Sequence, residues 1–277
     1  MLKYLAPILL LLALSVAHAA PVPLLIGDTT IQFPIDAGYV RVSQEQPKFF
    51  ELTAAALPPS NKLVESFFTR ADIARLGQGG IAADTYFQVQ VLRAIESREI
   101  SVDDWNALKP QLTAGMTKLD LNQVISSDTG NNDRMSAVAG QQVKVNFGKI
   151  GTPVVYRETP SSIDFGTLVP MEMNIGGEVQ NLTFAAAGSF VVVRNKLIFV
   201  YAFSTSTSAE AIAKLRARLD ATVDQTIALN PSDATTQSSS GFDWSRVGRN
   251  ALIGGVLGGI GGLFGWFIRR RKVPPKT

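Results

Sequence analysis

The 277-residue chain contains no cysteine and a single histidine, His18. Without thiols there are no disulfide bridges, no cysteine nucleophile and no thiolate-bound zinc, haem or iron–sulfur cluster. His18 itself ends an N-terminal stretch with a cation at Lys3, an apolar core from Ile8 to Val16 and the small-x-small triplet Ala17-His18-Ala19. That pattern reads as a secretory signal over residues 1–19, with the mature chain starting at Ala20. The alternative, an uncleaved anchor, has a short apolar core for a span. Cleavage removes the imidazole, and with it Ser-His-Asp catalysis and histidine-bound metal. The expectation is a protein with no metal and no cofactor, and not an enzyme.

A secreted chain lacking disulfides must be held by its core, and about 200 residues suffice for one large core or two small ones. This points to the bacterial envelope. The sequence carries 26 basic and 23 acidic residues, a net charge of +3. The excess is terminal. Removing Lys3 and the five cations beyond residue 268 leaves 20 basic against 23 acidic in residues 20–268, or −3. Such a body has no electrostatic footprint for nucleic acid.

Long apolar runs are also scarce, except near the C-terminus. Residues 251–268 hold no charge, and as a helix they reach about 27 Å, close to the ~30 Å of a bilayer's hydrocarbon. Trp266 and Phe267 stand where an aromatic belt is expected, and Arg269, Arg270, Arg271 and Lys272 set that end in the cytoplasm. Gly254, Gly258 and Gly262 recur every fourth residue, as do Gly255 and Gly259. Such small-xxx-small faces let two helix backbones approach closely, so the expected partners are a second copy or another envelope protein, met through the membrane. Two other readings stay open: an anchor that tolerates glycine, and a C-terminal sorting signal on a secreted substrate.

Between the signal and the span, residues 20–231 read as the periplasmic body and 232–250, rich in Ser and Thr, as a flexible tether. The tail is 269–277. In the body, "LLIGDTTIQFP", "YVRVS" and "NKLVESFFT" read as strands and "QPKFFELTAAAL" as a short helix. "TYFQVQVLRAI" alternates, with Phe87, Val89, Val91 and Ile95 on one face. Ser101 caps a helix running to about Ile125 that is broken or kinked at Pro110. "VKVNF" and "TPVVYRE" lead into strand pairs around Gly176-Gly177 and Arg194-Asn195-Lys196, the latter with strands near 188–193 and 197–203. Thr207 with Glu210 reads as a capping box on a last helix striped by Ile212, Leu215, Leu219, Val223 and Ile227, ended by Asn230-Pro231.

The fold class is α+β, a mostly antiparallel sheet covered by helices, plus one C-terminal transmembrane helix. Strand pairs leading to a sheet meander and an amphipathic last helix ending in Asn-Pro resemble, over residues 24–230, the Mog1/PsbP-like α/β/α sandwich of bacterial envelope lipoproteins and photosystem extrinsic proteins. That resemblance implies a binding or assembly module and carries no catalytic residues across.

Local constellations are weak. Gly77 to Gly80 lack the Lys-Ser/Thr of a phosphate loop. Ser127 to Arg134 offers Asp128, Asn131, Asn132 and Asp133 as oxygen donors, off the EF-hand spacing, so a solvated loop is expected. Asp103 and Asp104 suit a helix N-terminus. Lys214, Arg216 and Arg218 read as a solvated outer face of the last helix. The leading expectation is a single-pass inner-membrane protein with a periplasmic binding or assembly body; the alternative is a carboxylate-dependent envelope hydrolase, with a deep acidic cleft between two halves of the body.

Overall fold

The computed structural model describes residues 20–77, 85–118, 130–175 and 177–231. The segments expected as signal, tether, span and tail all lie outside them, including Gly254, Gly255, Gly258, Gly259, Gly262 and the Arg269, Arg270, Arg271, Lys272 block. Among the described residues no helix is long and apolar enough to cross a membrane.

The chain opens with a hairpin, β1 (Val22–Ile26) and β2 (Thr29–Phe33), then β3 (Tyr39–Arg41), α1 (Val42–Glu45), α2 (Pro47–Ala56), β4 (Asn61–Thr69), α3 (Arg70–Gly77) and β5 (Tyr86–Leu92). A single 3₁₀ turn, Arg93–Ile95, leads to α4 (Val102–Lys118). The second half runs α5 (Asn131–Ala139), β6 (Val143–Phe147), β7 (Val154–Glu158), β8 (Ser162–Ile175), β9 (Glu178–Val193), β10 (Lys196–Ser204) and α6 (Ala209–Leu229). The protein is α+β. Its large sheet has the order β3-β4-β5-β10-β9-β8-β6, with β7 also paired to β8, and each pairing in it is antiparallel.

Period-2 alternation sorts side chains to the two faces. On β10, Leu197, Phe199, Tyr201 and Phe203 join one core beneath α2, α4 and α5, whereas Ile198, Val200 and Ala202 join a second core beneath α6 and the β1–β2 hairpin. Stacked rings tie the first core together, with Tyr86 lying 4.5 Å from Phe68 and 5.0 Å from Phe203. Gly188 is required there, since a Cβ would stand 2.5 Å from Phe165 Cζ and 2.8 Å from Tyr201 Cδ1.

Several local expectations are corrected. "LLIGDTTIQFP" is two strands, because Gly27 takes φ +59° and turns the chain. β5 is buried along both faces, Gln88 and Gln90 included, as befits a strand in mid-sheet, and Ile95 sits in the 3₁₀ turn beyond it. α4 runs through Pro110 unbroken. The strand expected near 188–193 is the last third of the 16-residue β9. Ser208, one residue beyond Thr207, caps α6 by accepting from the Ala211 amide. Asn131–Ala139 is a helix, not a solvated loop: Asn131 is buried, and Asn132 Oδ1 accepts from the Val145 amide at 3.0 Å.

Candidate functional site

Where α6 crosses β8 and β9, the sheet supplies short side chains. Gly166 and Leu168 on β8 pair with Ala187 and Ala185 on β9, and glycine and alanine cannot fill the gap between a helix and a sheet. A cleft of about 300 Å³ remains, walled by Ile212 and Leu215 of α6 and by Val154 and Leu168. Of its lining residues only Arg216 is charged.

The guanidinium of Arg216 lies 4.7 Å from the centroid of the Tyr156 ring, a cation–π contact. A Cβ on Gly166 would stand at van der Waals distance, 3.4 Å, from both Nε and Nη2, so the β8 backbone lies beside that edge of the guanidinium. Among the described residues the buried Nε of Arg216 meets no acceptor, and no ion pair joins this arginine to any of them. The stripe it flanks, Leu215, Leu219 and Val223, is buried as the sequence implies. Arg216 and Arg218 do not form a solvated face, since Arg218 lies 5.8 Å over the Tyr39 ring.

A bulge aims Tyr156. Register slips between Val155, opposite Phe165, and Arg157, opposite Asp164, so one extra residue is accommodated and two consecutive side chains reach the helix side. The Tyr156 hydroxyl donates to Asp220 Oδ1 at 3.1 Å. Arg157 donates from Nε to Asp164 Oδ2 and from Nη1 to both Asp224 oxygens at 3.0 and 2.9 Å, and its Nε lies 3.5 Å from Asp220. Asp164, fully buried, also accepts from the Ser189 hydroxyl. Three carboxylates thus gather on one arginine and clamp β7 and β8 to α6.

Burial pushes the Asp220 carboxyl above the ordinary aspartate range, more than Arg157 and the Tyr156 hydroxyl pull it down, and the charges of Asp164 and Asp224 add to the rise. The Tyr156 phenol is raised, first by burial and then by Asp220 and Asp164. Burial works against the charge of Arg157, but its hydrogen bonds to Asp224 and Asp164 outweigh it and raise the pKa.

A second, more open groove of about 540 Å³ runs past Phe147, Pro170 and Leu182, where Asn146 donates to Glu172. Among the described residues no group of three His, Cys, Asp or Glu side chains is placed to hold a metal. Of the local constellations, Ser101 and Asp104 form a reciprocal cap on α4, the Ser101 hydroxyl accepting from the Asp104 amide at 3.0 Å. Of the glycine-rich stretch, residues 78–80 lie outside the described residues, as does Asp128. Tyr156, Arg157, Asp164 and Asp220 belong to no sequence motif; a bulge, a cross-strand register and the packing of α6 on the sheet bring them together. No family model matches the chain, and no curated protein is similar to it.

Proposed function

We propose that the chain is a non-enzymatic binding module of the bacterial envelope, held at the inner membrane by residues 251–268, with the cleft beneath α6 as its ligand or partner site. The observation that carries the site is the buried, unpaired Nε of Arg216 beside an apolar cleft, because a buried donor without an acceptor costs about 1–3 kcal/mol unless something supplies one. The layering, helices on one face of the sheet and a helix with a hairpin on the other, supports the proposed resemblance to a Mog1/PsbP-like sandwich, whose members mostly act as binding or assembly modules. The uncharged 251–268 run, the stripe Gly254, Gly258 and Gly262 and the Arg269–Lys272 block support a periplasmic body, a cytoplasmic tail and association through the span.

The carboxylate hydrolase has one observation in its favour, the raised Asp220 carboxyl, since a general acid needs such a shift. Against it, no carboxylate among the described residues lines the cleft, and Asp164, Asp220 and Asp224 all lie on Arg157. The two halves also share one sheet through β5 and β10, which is not the arrangement of two bodies flanking a carboxylate pair.

One in-cell experiment tests both parts of the reading: a photoreactive amino acid at Leu168, on the cleft, at exposed Leu25 as a control, and at Gly258 in the span. The expected outcome is a discrete adduct from Leu168 absent from Leu25, and a self-linked or partner-linked product from Gly258. Indistinguishable products from Leu168 and Leu25 would remove the cleft from the proposal; none from Gly258 would reduce the span to an anchor.

A further inference from the structure

The cleft's shape and charge restrict what it can hold. At about 300 Å³ it stands at the lower end of the ~300–1,000 Å³ typical of small-molecule sites. Its walls are alkyl, from Ile212, Leu215, Leu168 and Val154, and the hydroxyl of Thr167 already donates to the Gly151 carbonyl at 2.9 Å. The charged group that remains is the Arg216 guanidinium, five donors on a planar fork with no acceptor. A cationic guest would meet like charge, a purely hydrocarbon guest would leave the guanidinium without an acceptor, and a neutral oxygen would supply only an uncharged one.

The carboxylates nearby narrow the choice further. Asp220, one helical turn after Arg216 on α6, accepts from the Tyr156 hydroxyl, and Asp164 and Asp224 follow on Arg157. Four charged groups, three of them negative, are thus linked to the ring on which Arg216 rests, and they disfavour a doubly charged head such as a phosphate monoester. A single negative charge of planar, two-oxygen geometry matches one guanidinium edge.

We infer that the cleft beneath α6 takes a small carboxylate amphiphile, its apolar chain between Leu168, Ile212 and Leu215 and its carboxylate on Arg216. This rests on the reading of the cleft as a binding site. The ligand class is the monocarboxylate with a short aliphatic chain, and Arg216 is the specificity-determining residue.

The test uses the full chain in lipid nanodiscs, with empty nanodiscs as the blank, and an octanoate carrying a photoreactive group at its chain end. Labelled peptides are mapped by mass spectrometry, with octanoate, octanol, octyl phosphate and octyltrimethylammonium as competitors. Labelling is expected on peptides containing Leu168 or Ile212, protected by octanoate at concentrations at least about tenfold lower than by octanol, as loss of one charge-assisted hydrogen bond implies. Arg216→Gln should weaken octanoate about tenfold without changing octanol, Arg216→Lys should restore part of the loss, and Leu168→Trp should abolish labelling. Leu168 is 41% exposed, so its replacement tests occupancy without disturbing the core, and circular dichroism verifies folding of each variant.

Octanol or octyltrimethylammonium protecting as well as octanoate, octyl phosphate protecting better, or Arg216→Gln leaving octanoate unchanged would overturn the ligand class while keeping the cleft as a site. Labelling insensitive to every competitor and to Leu168→Trp would overturn this inference, and coupled with no specific adduct from Leu168 in cells it would remove the binding reading as well.

Discussion

At the scale of single residues, Asp220 sets a pH dependence of defined sign. Its pKa is higher in the folded chain than the ordinary value, through burial first and neighbouring carboxylates second. The folded state therefore holds this proton more tightly than the unfolded chain does. Its contribution favours folding at acid pH and is lost as pH rises from about 3.9, the unfolded aspartate value, through the folded one. Asp220→Asn cannot ionise and should lack that slope, so the stability of the native chain relative to the variant should fall as pH is raised from about 4 and then level off. Parallel urea titrations check this, and a constant difference at every pH would reject the assignment. Arg216 shows what is legible at this scale. It stands four residues after Ile212 and three before Leu219, so helical spacing puts it on the flank of the buried stripe. Counting it with Lys214 and Arg218 as an alternating set hides that, because residues two apart on a helix do not share a face. Its partner Tyr156 is less accessible to sequence reasoning, since nothing in "TPVVYRE" announces a bulge.

At the scale of elements, the apolar patterns locate most strands and helices, and the errors occur where local pattern competes with tertiary contact. β9 continues past the alanine run because β8 and β10 pair with it across that stretch. Asn131–Ala139 becomes helical despite its polar composition because Met135 is wholly buried in the first core and Arg134 donates to the Ala55 and Leu57 carbonyls. The end of α6 is legible in Asn230-Pro231, but what Asn230 does there is not. Its side chain accepts from the Gln32 amide and donates to the Gln32 carbonyl, both at 2.7 Å, standing in for a strand partner 198 residues away in sequence. Asn230→Leu would leave both Gln32 backbone groups unpaired, and a loss of about 2–3 kcal/mol is expected from two such groups. Hydrogen exchange at the Gln32 amide should rise by more than exchange in β10; equal changes in both would show that the asparagine does not specifically hold β2.

At the scale of the whole molecule, sheet order is the part that no local pattern carries. The sequence leaves one large core or two small ones open, and β5 of the first half pairs with β10 of the second along Tyr86 to Gln90, so both halves contribute to each of the two cores. Sharing the cores should make unfolding cooperative. Fluorescence from Trp105, buried in the first core, and far-UV circular dichroism should give coincident urea transitions; a separate early transition in either would show that the halves open independently. The pairing along β8 has another effect. β6 and β7 share its outer edge, β6 opposite Met171–Ile175 and β7 opposite Ile163–Gly166 with a bulge, while the opposite edge of the sheet is the three-residue β3. Among the described residues, neither border offers another polypeptide a long, flat row of open amide and carbonyl groups. Where folded copies of this chain meet at high local concentration, a sheet of this size finished with short, kinked margins is protected from edge-to-edge aggregation.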